Sequence, residues 1–132
     1  MANILIIEDD PYVRRFYERL FRFNKCDVDL AANGAEGIEK AKTLKPHLIL
    51  LDIMMPEVDG IQVLEKLKKD DTTKDCLVVM LTNLGDDETI KKATELGADG
   101  FIVKSNVTDE ELIKKVEAYM EMQSSTAPAA SS

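Results

Sequence analysis

A chain of 132 residues has room for one hydrophobic core and not for two, so its function rests on a single compact unit and the surface around it. With 45% hydrophobic and 32% charged residues it has the make-up of a folded globular protein, which excludes a disordered or fibrous chain. The formal net charge of -8, with Lys and Arg interleaved among Asp and Glu, argues against direct binding to nucleic-acid phosphates or to a membrane surface.

In chain order, Met-Ala-Asn carries no positive flank and leads into the short apolar run Ile4 to Ile7, which is neither a signal peptide nor a membrane span. A cytoplasmic protein is expected, and this run is the first predicted strand. Asp10 as cap and Pro11 in the first turn open a predicted helix over 11 to 24, whose Val13, Phe16, Tyr17, Leu20 and Phe21 read as a core stripe. Val28 to Ala31 is the second strand. Asn33 and Glu36 have capping-box spacing ahead of a helix over 34 to 44. Leu48 to Leu51 is the third strand, followed by a helix over 58 to 69. Leu77 to Leu81 is the fourth, and Asp86, Asp87 and Glu88 supply the negative charge that suits the start of a helix over 86 to 96, with Gly97 as its stop. Phe101 to Val103 is the fifth strand, and Thr108 with Glu111 opens a last helix over 109 to 122. The remaining Gln123 to Ser132 is Ser, Ala, Pro and Thr without apolar period, so the chain divides into a domain of residues 1–122 and a tail, 123–132, expected to be disordered.

Short apolar runs alternating with longer amphipathic segments are the pattern of a parallel sheet with crossover helices. The predicted fold is therefore α/β, a doubly wound three-layer sandwich with a five-stranded parallel sheet in the order 2-1-3-4-5 and five helices, the flavodoxin-like arrangement. In that order Cys26 and Cys76 precede strands separated by about 14 Å, too far for a disulfide, and they read as reduced packing residues. Ligands in such folds bind beyond the carboxyl ends of the strands where the winding reverses, between strands 1 and 3. The chemistry is then sought just after Ile7 and Leu51.

Strand 1 runs into Glu8, Asp9 and Asp10, and strand 3 into Asp52. Carboxylates brought together from remote segments raise one another's pKa unless a cation neutralises them, and a hard divalent ion with oxygen ligands is the natural partner. The acidic triplet also suits a helix N-terminus, and Asp52 also suits an exposed strand end. Strand 4 ends at Thr82 and strand 5 at Lys104, a hydroxyl donor and an ammonium that fit phosphate oxygens. Together these residues put a nucleophilic carboxylate, a metal site, a hydroxyl and a cation at one edge. The single histidine, His47, precedes strand 3 at the opposite edge and reads as a loop residue.

In the stretches Ile4-Leu5-Ile6-Ile7-Glu8-Asp9-Asp10, Leu50-Leu51-Asp52-Ile53-Met54-Met55-Pro56-Glu57-Val58-Asp59-Gly60, Leu81-Thr82 and Gly97-Ala98-Asp99-Gly100-Phe101-Ile102-Val103-Lys104, the chain resembles the receiver domain of two-component response regulators over residues 3 to 122. It is similar in particular to chemotaxis-type single-domain regulators. The resemblance implies that Asp52 is the phosphoacceptor and that Mg2+ or Mn2+ is held by Asp9, Asp52, the backbone carbonyl of Met54 and, through water, Glu8. It implies that Thr82 and Lys104 grip the phosphoryl oxygens and that Thr82 and Phe101 act as switch residues, although a strand Phe is also ordinary core.

On this reading the chain is no enzyme beyond catalysing its own phosphorylation and dephosphorylation. Its expected partners are a sensor histidine kinase or a histidine phosphotransfer protein, and a downstream protein reached through the fourth helix, fifth strand and fifth helix, or a homodimer across that face. No domain for DNA binding is expected after residue 122. A phosphorelay intermediate and an unphosphorylated receiver-like adaptor are the alternatives. The first helix carries Tyr12, Arg15 and Arg19 on one face, a docking edge for the kinase or an ordinary solvated face. Three positions depart from the commonest family pattern: Ser105 stands where proline is usual, Asn83 stands where a small residue is common and narrows donor access, and Met54 and Leu84 flank the site with apolar side chains that orient water poorly. Met54→Asn and Leu84→Glu should therefore each shorten the lifetime of the phosphoaspartate, measured by the decay of phosphorylated protein after donor removal; unchanged lifetimes refute the assignment.

Overall fold

The computed structural model describes residues 3–52, 60–82 and 87–131, with side-chain surroundings for 3–52, 60–82, 87–105 and 107–121. The elements run β1 (Asn3–Ile7), α1 (Pro11–Phe23), β2 (Asp27–Ala31), α2 (Gly34–Leu44), β3 (Leu48–Asp52), α3 (Gly60–Lys69), β4 (Leu77–Thr82), α4 (Asp87–Glu95), β5 (Gly100–Val103), a 3-10 turn (Lys104–Asn106) and α5 (Asp109–Ser131). All strand pairs are parallel and the sheet order is β2-β1-β3-β4-β5, the expected doubly wound arrangement. Among the described residues no helix is long and apolar enough to cross a membrane.

The two faces of the sheet sort the side chains by the two-residue period of a strand. Leu5, Ile7, Ile49, Leu51, Val78 and Met80 join one core with Ala41 of α2 and Ile61, Val63, Leu64 and Leu67 of α3. Ile4, Ile6, Leu48, Leu50, Val79, Leu81 and Ile102 join the other with Tyr17 and Phe21 of α1 and Leu112, Ile113 and Val116 of α5. β3 is buried along its whole length, which is why its sequence is an unbroken apolar run up to Asp52. Each fully buried Leu or Ile contributes about 1.5 to 3 kcal/mol. Both cysteines are free and buried, one in each core.

The expected caps form. Asp10 accepts from the N–H groups of Tyr12 and Val13 at 2.8 and 3.3 Å. Asn33 accepts from the Glu36 N–H at 2.9 Å, and Thr108 and Glu111 exchange a reciprocal pair at 2.9 and 3.2 Å. Gly97 ends α4 with φ 102, which only glycine adopts freely. One expectation is corrected. Phe16 is 45% exposed rather than core, because it lies about 100° around α1 from Tyr17, outside the arc that Tyr17 and Phe21 centre on the sheet. α5 spans Asp109–Ser131.

The amino edge of the sheet is tied down. The His47 N–H donates to the Asn3 carbonyl at 2.9 Å, and the Asn3 N–H donates to His47 Nδ1 at 3.2 Å. Lys68 of α3 donates to the Cys76 carbonyl at 3.0 Å and to Asp99 Oδ2 at 2.8 Å, and the same oxygen accepts the Val78 N–H at 2.8 Å. Close approach of α2 to β1 is made at Gly37, where a Cβ would lie 2.4 Å from Ile7 Cδ1. Ile7 is fully buried and cannot retreat. Gly37→Ala should therefore lower stability by about 1 to 2 kcal/mol, overpacking outweighing the helix preference of alanine, and a lower urea midpoint with an unchanged slope is the expected readout.

Candidate functional site

Strand register and parity bring the acidic residues together. Ile7 is paired with Leu51, so Glu8 and Asp52 leave the sheet side by side. Both continue the even-numbered face of their strands, with Ile4 and Ile6 or Leu48 and Leu50 before them, and therefore lean toward α1 and α5. Lys104 continues the same face beyond Ile102, after the pairing of Thr82 with Val103 that closes the carboxyl edge. Thr82 falls on the other face, in line with Val78 and Met80, and is buried.

The resulting cluster is short of water and crowded with charge. Glu8 is 2% exposed and Asp52 5%. One carboxylate oxygen each from Glu8, Asp9 and Asp52 lie within 4.8 Å of one another. Lys104 Nζ stands 3.2 Å from Asp52 Oδ2 and 3.9 Å from Glu8 Oε2. Glu8 Oε2 is buried and has no hydrogen-bond partner among the described residues. Burial, then a side-chain hydrogen bond with Asp52 and the Asp52 charge, push the Glu8 carboxyl up to about 8, against a smaller pull downward from Lys104. For Lys104 burial disfavours the charge, yet the carboxylates of Asp52 and Glu8 outweigh it and raise the ammonium pKa. An all-oxygen donor set with one buried oxygen lacking a partner fits a hard divalent cation. The cluster can hold such an ion or, without one, a shared proton.

The model of the response regulator receiver domain family matches residues 4–117. The chain belongs to this family. Its relatives include the chemotaxis protein CheY of Halobacterium salinarum, 34% identical over 102 residues covering 77% of this chain and 83% of that protein. The DNA-binding dual master transcriptional regulator RpaA of Synechocystis sp. is 37% identical over 120 residues, covering 91% of this chain and 49% of that protein. The chain thus spans about half the length of RpaA and of the Staphylococcus saprophyticus response regulator ArlR (49% and 54%). Among solved structures, a CheY-like receiver domain protein from Methanospirillum hungatei superimposes with a TM-score of 0.87 at 27% identity, covering 96% of this chain and 98% of that one. CheY4 of Vibrio cholerae does so with a TM-score of 0.84 at 25% identity, covering 90% of this chain and 98% of that one. As a receiver domain, residues 4–117 form a signalling switch rather than a metabolic enzyme.

In this receiver domain Glu8, Asp9, Asp52 and Lys104 meet at one point, and Thr82 ends the strand beside Asp52. Met54, Asn83 and Leu84 lie outside the described residues. Phe101, the expected switch aromatic, is 45% exposed on β5 and is not a core residue in this state. No peptide bond among the described residues is cis, that between Lys104 and Ser105 included. Two residues near the cluster were not among the expected site residues. Tyr17 is buried beside it, and its hydroxyl pKa is raised first by burial and then by the nearby carboxylates of Glu8 and Asp52, against a pull downward from Lys104. Arg14 donates to the carbonyls of Glu8 and Asp9 at 3.0 and 3.3 Å; its place one turn into α1 was the available signal, since helical side chains point back toward the N-terminus.

The Glu8 shift fixes a sign for stability. A carboxyl near 8 in the folded receiver and near 4.5 when free means that the folded state binds the extra proton between those values. The contribution of Glu8 to the stability of the metal-free domain is therefore most favourable below the lower value and is lost as pH rises through the window from 4.5 to about 8. Thermal melts in chelator should show a midpoint falling over that range, and Glu8→Gln should flatten the fall; a midpoint that rises across it contradicts the assignment.

Proposed function

We propose that residues 1–122 form a phosphorylation-operated receiver in which Asp52 accepts a phosphoryl group from a sensor histidine kinase or a histidine phosphotransfer protein. The observation that carries this reading is the 3.2 Å contact of Lys104 with Asp52 inside the three-carboxylate cluster, because it pairs a nucleophile with the cation its product requires. Asp9 and Asp52 would hold Mg2+ or Mn2+ directly, with the Met54 carbonyl, and Glu8 would hold it through water. When bound, the ion supplies charge neutralisation for the incoming phosphoryl oxygens.

The rest of the mechanism belongs to the side chains. A carboxylate oxygen of Asp52 forms a bond to phosphorus as the bond from phosphorus to the donor nitrogen breaks, the histidine leaving with the electron pair and taking a proton from solvent. A carboxylate nucleophile needs no general base, and Lys104 stands 3.2 Å from Asp52 Oδ2. Lys104 exchanges its carboxylate partner for a phosphoryl oxygen, and the Thr82 hydroxyl donates to another. Drawing Thr82 toward the phosphoryl group vacates space that Phe101 can enter from the surface, which couples the site to the face of α4, β5 and α5 at a cost of about 1 to 3 kcal/mol. Partner proteins read that face, or a second copy meets it. Tyr12, Arg15, Phe16 and Arg19 line a groove on α1, the docking edge for the kinase. A cytoplasmic location suits such partners.

The test is intact-mass measurement after incubation with acetyl phosphate and Mg2+. A phosphate-sized gain in the parent that disappears in Asp52→Asn is the expected outcome, and it should also disappear when the metal is chelated. A gain that survives Asp52→Asn moves the acceptor elsewhere, and no gain in the parent leaves an adaptor that keeps the fold without the chemistry.

A further inference from the structure

Arg14 leaves α1 on its exposed-to-buried margin and turns back over the loop between β1 and α1. Its Nη1 donates to the Glu8 carbonyl at 3.0 Å and to the Asp9 carbonyl at 3.3 Å. The same short segment is tied at two further points. The Glu8 N–H donates to the Ala31 carbonyl at 3.0 Å, and the Asp10 side chain caps α1 through Tyr12 and Val13. Glu8 is thus held by its N–H on the β2 side and by its carbonyl on the α1 side, and Asp9 by its carbonyl. Beyond the guanidinium lies Glu36, whose carboxyl is kept below its ordinary range first by the Ala32 N–H, with Lys40 and Arg14 adding to the effect. Arg14 therefore grips the backbone of two of the three members of the cluster.

We infer that Arg14 is a positioning residue for the divalent-cation site, fixing through the Glu8 and Asp9 carbonyls the direction in which their carboxylates project. This rests on the receiver reading above and adds a residue to it. A guanidinium suits the task because its planar donors can serve two adjacent carbonyls while the charge remains delocalised. It acts on the metal only through the residues that would ligate it.

Two physical effects of removing Arg14 have opposite signs, which makes the inference decidable. Arg14 is a cation near an acidic cluster, so by Coulomb's law alone its loss should tighten cation binding. If it positions the loop, its loss should weaken binding, and groups that orient metal ligands are worth about 10- to 100-fold in affinity. The experiment is calorimetric titration of the metal-free full chain with magnesium chloride, for the parent, Arg14→Met, Arg14→Lys and Arg14→Gln. Arg14→Met should bind Mg2+ about ten-fold more weakly, with Arg14→Lys and Arg14→Gln in between, since each restores part of the carbonyl grip. In the metal-free state, amide hydrogen exchange over residues 8 to 10 should quicken in Arg14→Met while β3 and β4 stay protected. At saturating Mg2+ the rate of phosphorylation by acetyl phosphate should return to that of the parent. Affinity equal to or tighter than the parent's in Arg14→Met overturns the inference. Should that variant not fold, the same outcome in Arg14→Lys and Arg14→Gln overturns it. Absence of Mg2+ binding in the parent is a different result, which defeats the metal site itself.

Discussion

Two buried carboxylates facing one ammonium is the constraint from which the architecture of the carboxyl edge follows. Glu8 and Asp52 arrive from strands far apart in the chain, in register and on the same face, and Lys104 reaches them from a third strand. One cation cannot balance them together with Asp9, and the imbalance appears as a carboxyl whose pKa is pushed up to about 8 and an oxygen without a hydrogen-bond partner among the described residues. Burying unbalanced charge is costly. The sheet tolerates it because β1 and β3, which carry the two carboxylates, are buried from Ile4 to Ile7 and from Leu48 to Asp52, so the edge does not fray at little cost.

Much of this was legible in the amino-acid order. Unbroken apolar runs such as Leu48 to Leu51 announce a strand covered on both faces, and the alternation of runs and caps leads directly to the doubly wound sheet. From there Glu8, Asp52, Thr82 and Lys104 fall at the same edge by topology. What escaped depended on quantities that a linear pattern does not hold. Phe16 and Tyr17 are adjacent aromatic residues on one helix, and only the angle at which α1 meets the sheet decides which is buried. Arg14 is one arginine among several on α1, and its contact with two carbonyls depends on how the preceding loop folds back. The tilt of α5 places Tyr119 against Gly100, where a Cβ would lie 2.3 Å from the ring, and nothing in the spacing of those residues foretells it.

Family membership explains why such a strained cluster persists. In the response regulator receiver family the domain is a switch, and a switch needs two states of similar free energy. An edge short of neutralising charge has much to gain from a divalent cation. A relaxed edge, with every carboxylate paired, would have little left to gain from one.

At the opposite edge His47 and Asn3 clasp one another's backbones, and Lys68 holds the entry to β4 together with the loop before β5. The sheet is in effect a cantilever, clamped at its amino end and loaded at its tip. With its amino end pinned in this way, the sheet keeps β1 level with β3 and β4 level with β5, and so fixes the height at which Glu8, Asp52 and Thr82 emerge at the far end.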